Sequence, residues 1–239
     1  MTETDQTIST TERPKKESLL ANLLLNIVIP TVILTKLSGD QWLGTKLAIV
    51  VALAFPLIYG GRDLLQSGRV NFFSALGIIS ITLTGGMSLL ELDAKYIAIK
   101  EAAIPGLLGA ATVVSLYTRW PLVKTLLYND RILNTAKIAQ ALAQKGNEGP
   151  FERTLALASW MVASSFFLSS TLNYILAKML LQSPPGTEAF NEELGKMTAL
   201  SFPVIALPAT LILMLTLFFL FRRIGKLTGL KLEEVVVAQ

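Results

Sequence analysis

The stretch YIAIKEAAIPGLLGAA, residues 96–111, sets a lysine and a glutamate side by side among alanine, glycine and large aliphatic residues. Lys100 and Glu101 are the charges best placed for intramembrane chemistry, and three further lysines extend the pattern. Short polar connections are followed by a lysine opening the next apolar run: SGDQWLGTK ends at Lys46, ELDAKYIAIK at Lys100 and AFNEELGK at Lys196. Lys36 closes the run before the first of these connections. Lysines 36, 46, 100 and 196 converging on one cavity would make a site for an anionic ligand or lipid headgroup. Splayed around a rim, they would anchor helix ends at a membrane interface by reaching for water.

Other chemistries are poorly supplied. The chain has no cysteine and no histidine, which removes thiolate nucleophiles, disulfides and the commonest general base and metal ligand. No glycine-rich phosphate loop, serine-nucleophile elbow or dinucleotide fingerprint is present. The expectation is a protein that is not an enzyme, with no cofactor and no metal site. There is no basic stripe with interleaved aromatics, so nucleic acid is excluded as a partner.

The elements that must hold these charges follow from composition. Of 239 residues, 52% are hydrophobic and 16% charged, with a mean hydropathy of +0.55, whereas soluble domains carry about 25% charged residues. Charge-free stretches run over 18–35, 47–61, 70–90, 102–118, 154–177 and 197–221. A helix needs about 20 residues to cross a bilayer core. Extending the shorter stretches outward predicts six transmembrane helices at about 18–36, 42–60, 71–91, 97–118, 154–180 and 197–221. The fold class expected is all-α, a polytopic membrane bundle of three hairpins. Residues 1–17 read as a disordered cytoplasmic tail, 18–222 as the transmembrane domain with a cytoplasmic loop at 119–153, and 223–239 as a cytoplasmic tail.

Basic residues orient the bundle. Arg13, Lys15, Lys16, Arg62, Arg69, six in the 119–153 loop, and Arg222, Arg223, Lys226 and Lys231 make fifteen of the 21 lysines and arginines. The alternate connections carry Asp40, then Glu91 and Asp93, then Glu188, Glu192 and Glu193. Both termini are therefore expected in the cytoplasm. Trp42, Tyr96 and Trp120 fit interfacial anchors.

Prolines follow the lysines inside the membrane: Pro56, Pro105, and Pro203 with Pro208. They suggest a threefold hairpin repeat; repeats with interrupted helices mark binding sites in many transporters, although lysine at an interface and proline in a membrane helix are also common by themselves. Asn22, Asn26 and Pro30 share one face, suited to packing or to substrate contact, as does Asn173. In the loop, a helix is predicted over Arg131–Lys145, capped by Asn129 or Asp130 and stopped by Gly146, with Ile132, Ala136, Ala139 and Ala143 on one face. It reads as a linker helix, a leaflet-bound helix or a docking surface.

Neighbours on a helix point about 100° apart, so Lys100 and Glu101 are expected to need separate partners, Glu101 turning to Lys46 or Lys196. Ala102, Ala103, Gly106, Gly109, Ala110 and Tyr117 form the predicted helix-contact seam, with Lys100 off it. The spacing from Lys100 to Arg119 spans about 28 Å, which puts both charges at the outer boundary and argues against a buried ion pair.

From helix one to helix four the chain resembles the intracellular septation protein A family of bacterial inner-membrane proteins. The stretches that carry the resemblance are IPTVILTKLSGDQWLGTKLAIVVALAFPLIY and TLTGGMSLLELDAKYIAIKEAAIPGLLGAATVVSLYTRWPLVKTLL, with Trp160, Phe166 and Asn173-Tyr174 in the second half. The tail, the fourth connection and the loop at 183–196 are longer than in the family, as in a broader relative. The resemblance implies a non-enzymatic role in cell-envelope biogenesis and septation, through contacts with membrane lipids and division or elongation proteins, or with a second copy of the chain. The alternative from the residues themselves is a small transporter or lipid-handling protein that binds an anionic ligand near the outer leaflet.

Overall fold

The computed structural model describes residues 24–67, 72–118, 121–128, 130 and 133–236. The protein is all-helical: 84% of the described residues are in helices, and no strand is present among them. In chain order the helices are α1 (Leu24–Lys36), α2 (Gly44–Ser67), α3 (Phe72–Leu89), α4 (Ala94–Ser115), α5 (Leu122–Leu127), α6 (Thr135–Lys145), α7 (Glu148–Leu180), α8 (Glu188–Thr228) and α9 (Leu232–Val235). Four of them are long and apolar enough to cross a membrane, over Gly44–Arg62, Ala94–Ser115, Glu148–Leu180 and Glu188–Thr228, while Leu24–Lys36 and Ala75–Leu89 are shorter apolar helices. The expected tail at 1–17, Asn22, Arg69, Arg119, Trp120, Asn129, Arg131 and Ile132 lie outside the described residues.

Local chemistry sets the ends. The Asp93 carboxylate caps α4 by accepting from the Lys95 amide at 2.8 Å, and Thr187 caps α8 by accepting from the Phe190 amide at 3.2 Å. Because that cap lies well before Lys196, α8 begins at Glu188 and not near 197. Prolines leave a mark without ending the helices. The α1 backbone is π-wound over Leu24–Val28, just ahead of Pro30, and α8 is π-wound over Phe202–Ala206 around Pro203. A proline cannot donate to the preceding turn and its ring crowds it, so the turn widens.

The most extensive contact in the molecule is α4 against α7; α7 also packs on the C-terminal half of α8, α1 on its N-terminal half, and α2 on α3. Between membrane helices, close van der Waals packing and interhelical hydrogen bonds supply the cohesion. The α4–α7 seam shows both: the Ser170 hydroxyl donates to the Ala102 carbonyl at 2.7 Å, and a Cβ on Gly109 would stand 3.0 Å from Phe167. Ala102, Gly106 and Gly109 thus face α7 as expected. Ala103, Ala110 and Tyr117 do not; Tyr117 is 84% exposed. Gly195 does for α8 and α1 what Gly109 does for α4 and α7, since a Cβ there would stand 2.8 Å from Thr35 and 3.2 Å from the Thr31 carbonyl.

The three connections 37–43, 90–93 and 181–187 meet at one end. Lys46 pairs with Glu91 at 3.1 Å; Glu193 accepts from the Gln182 and Ser183 amides, each at 2.9 Å. Buried Asn191 donates to the Thr45 carbonyl at 2.8 Å and to the Ser38 hydroxyl at 3.1 Å. Beneath it lies the main core, with Ile33, Ile49, Ile97, Leu176 and Phe190.

A second core fills the opposite end, where Leu133, Ile138, Leu142, Phe151, Leu155, Leu220, Ile224 and Val235 pack together. Here the structure revises the loop helix. It starts at Thr135, not Arg131, because the Asn134 side chain accepts from the Lys137 amide; Gly146, at φ 66°, stops it as expected. Ile138 and Leu142 are its buried residues, while Ala136, Ala139 and Ala143 are exposed. A branched side chain loses more contact with water than alanine does when it is buried, so the larger residues select the docked face. The tail joins this core: the Asn134 amide donates to the Val235 carbonyl at 2.9 Å, and Lys137 pairs with Glu234 at 2.8 Å.

Candidate functional site

Among the five candidate residues the structure draws a sharp division. Lys36 is exposed. Lys46 and Lys196 have side chains 68% and 54% exposed, and pair with Glu91 and Glu192 at the surface. Lys100 and Glu101 alone turn inward. The four lysines do not converge, so the anion site that their convergence would have made is not formed.

Two expectations fail at the pair itself. Lys100 Nζ lies 2.6 Å from Glu101 Oε1, with side chains 7% and 23% exposed: the neighbours are partners, the lysine buried and the glutamate partly so. The 100° step between adjacent Cα–Cβ directions does not keep them apart because the lysine stem is long enough to bend back to the carboxylate. Neither Lys46 nor Lys196 reaches Glu101. Six residues into α4, Lys100 lies roughly 9 Å along the helix from its first residue, so it does not sit at the helix end.

Burial of the ammonium is made tolerable by α3. Lys100 Nζ donates to the Ser80 carbonyl at 3.2 Å, the Ser80 hydroxyl at 3.1 Å and the Thr84 hydroxyl at 2.5 Å. With Glu101 this makes four oxygens for three N–H bonds, which offsets much of the desolvation of a buried charge. Thr84 donates to the Ser80 carbonyl at 3.0 Å and lies 3.3 Å from Glu101 Oε1. Ser80 and Thr84 cover Lys100, while Leu107, two turns further along the same face of α4, is 69% exposed.

Ser80 and Thr84 were not among the candidates. Their signal was in the sequence: Ser80, Thr84 and Ser88 recur every four residues through an otherwise apolar α3, which is one polar stripe on a helix. Asn191 was also missed, and its immersion among Phe190, Leu194 and Met197 was the sign that its amide had to find partners indoors.

Glu101 opens onto a cavity of about 510 Å³ between α1, α2, α3 and α8, whose wall includes Pro30, Pro56, Tyr59, Gly77, Ser80, Thr84, Met197 and Ser201. Of the prolines that mark the hairpins only Pro56 borders it, together with Pro30 and Asn26 from the shared face of α1. Asn173 turns elsewhere and donates to the Ser169 carbonyl at 2.8 Å. Among the described residues no three acidic side chains converge as metal ligands.

What this arrangement defines is a class: a helical protein with four helices long and apolar enough to cross a membrane, carrying a carboxylate–ammonium pair beside a cavity. No family model, curated protein or solved structure matches the chain.

Proposed function

We propose that this chain is a six-span, multi-pass protein of the bacterial inner membrane that acts without catalysis, by taking a lipid-soluble molecule into the cavity beneath Glu101. The alternation of basic and acidic connections supports six spans with both termini in the cytoplasm, as does the meeting of the three short connections at one end. The docking of the 119–153 loop against the C-terminal tail at the other end agrees with it.

The observation that carries the functional reading is the cavity with its ionisable wall. A charge at membrane depth is costly, and where it faces a cavity it marks a ligand or ion pathway more often than a structural need. Cavities of 300–1,000 Å³ are the range of small-molecule sites. Lysines 36, 46 and 196 give no support to ligand capture; Lys36 and Lys46 serve as helix-end anchors, and Lys196 pairs with Glu192 on the surface of α8. The envelope and septation role implied by the sequence resemblance is the setting in which such lipid handling would act, with membrane lipids and division or elongation proteins as neighbours.

Gly77 offers the test, because it lines the cavity and a Cβ there meets no heavy atom within 4 Å. Gly77→Phe should fill the space while leaving the fold intact. Native mass spectrometry of the protein in mild detergent should then show a retained small molecule in the wild type that Gly77→Phe loses, with unchanged melting. Equal retention by both proteins, or none by either, would refute the reading.

A further inference from the structure

We infer that the ligand of this cavity is a lipophilic organic cation, held through its positive charge by the Glu101 carboxylate; this rests on the cavity being a binding site at all. Among the described lining residues Glu101 is the one formal charge, since Lys100 lies behind it and is not part of the wall. The cavity therefore presents the acidic half of the pair. Glu101 Oε1 accepts from Lys100 and Thr84, and among the described residues Oε2 accepts no hydrogen bond, which leaves it for a guest.

Three hydroxyls of the wall bond to carbonyls of their own helices. Thr84 donates to the Ser80 carbonyl at 3.0 Å, Thr198 to the Leu194 carbonyl at 3.0 Å, and Ser201 to the Met197 carbonyl at 2.8 Å. Thr198 and Ser201 have given their protons to their own helix and Thr84 shares its proton between Ser80 and Glu101, so none of the three has a free proton to offer a guest, which suits a cation better than an anion. Lys100 keeps the Ser80 carbonyl and the Ser80 and Thr84 hydroxyls whichever way Glu101 leans, so the carboxylate can share its charge with a second cation without stranding the first. Leu53 and Ile81 supply the apolar wall for the body of the guest.

Two probes of the same shape and opposite charge separate the alternatives: tetraphenylphosphonium and tetraphenylborate. Binding of each is measured by equilibrium dialysis on detergent-solubilised full-length protein, and the component removed by Gly77→Phe is taken as cavity binding. The expected result is cavity binding of tetraphenylphosphonium, none of tetraphenylborate, and a loss of about tenfold or more in affinity in Glu101→Gln, equivalent to about 1.4 kcal/mol. Glu101→Gln keeps the shape of the side chain and an oxygen for Lys100, and its binding is measured at a temperature below its own thermal transition, where it is folded. Cavity binding of tetraphenylborate, of both probes equally, or of tetraphenylphosphonium undiminished in Glu101→Gln would overturn the cation assignment while leaving the cavity as a site. Absence of any Gly77-sensitive binding would overturn both.

Discussion

Lys46 meets Glu91 at 3.1 Å with side chains 68% and 47% exposed, whereas Lys100 meets Glu101 at 2.6 Å with side chains 7% and 23% exposed. The residue types are the same and both lysines lie early in a helix. At the loop end, water screens the charges and ordering two long side chains offsets most of the attraction, so such a pair contributes about 0–1 kcal/mol. In the interior, the charges have lost water and depend on one another and on Ser80 and Thr84. The lesson is that an ion pair's importance here is set by what surrounds it, and that the inward pair is a liability kept beside a cavity.

The comparison is broken most directly by removing one partner at each place. Lys100→Ala strands the Glu101 carboxylate and should destabilise the protein by about 3 kcal/mol, the low end for a broken buried pair because Glu101 retains some exposure. Thermal unfolding in detergent measures it, and a loss near that of Lys46→Ala would erase the distinction between the pairs. Asn191→Ala comes next. It removes a neutral, fully buried amide that ties the first connection to α8, and should cost about 1–3 kcal/mol by orphaning its partners. That outcome would show that burial, more than formal charge, sets the scale.

Smaller effects are expected at the surface. Lys46→Ala and Lys196→Ala should each change stability by less than about 1 kcal/mol, with the wild-type contribution fading in high salt. A third exposed pair, Lys137–Glu234, sharpens the contrast through pH. The hydrogen bond from Lys137, then that from the Lys231 amide, hold the Glu234 carboxyl below its ordinary value of 4.5. A carboxyl whose folded value is lowered stabilises above its unfolded value and loses that contribution as pH falls through the folded one. Lowering the pH below about 4.5 should therefore loosen the tail, read as faster hydrogen exchange of the Asn134 amide, which bonds to Val235, after correction for intrinsic rates. Glu234→Gln should remove most of that pH dependence.

Much of the scaffold was legible. The apolar stretches and the glycine stop at Gly146 are local signals, and each fell close to a helix or its end, whereas the loop helix is capped by Asn134 and not by Asn129 or Asp130. The contact seam of α4 was half legible: small residues identify a face, but only the partner helix decides which of them it meets, and α7 took Ala102, Gly106 and Gly109. The docked face of α6 was misjudged because alanines spaced around a wheel look like a stripe until larger neighbours claim the core.

By itself the sequence determined the class of the protein, because the solvent a chain can occupy depends on how much of it is apolar and over what length, and those are properties of composition and order. It also determined the stop of the loop helix at Gly146, since capping is decided within a few residues, whereas the starts at Thr135 and Glu188 differ from those expected. The partners of Lys100 and Glu101 were decided by the tertiary structure alone. They depend on α3 crossing over the second turn of α4 so that Ser80 and Thr84 meet the ammonium, and on α1, α2 and α8 leaving space in front of the carboxylate. Contacts of that kind join residues up to about a hundred positions apart, and no local rule reports whether the side chain at 101 ends in lipid, in protein or against an open cavity.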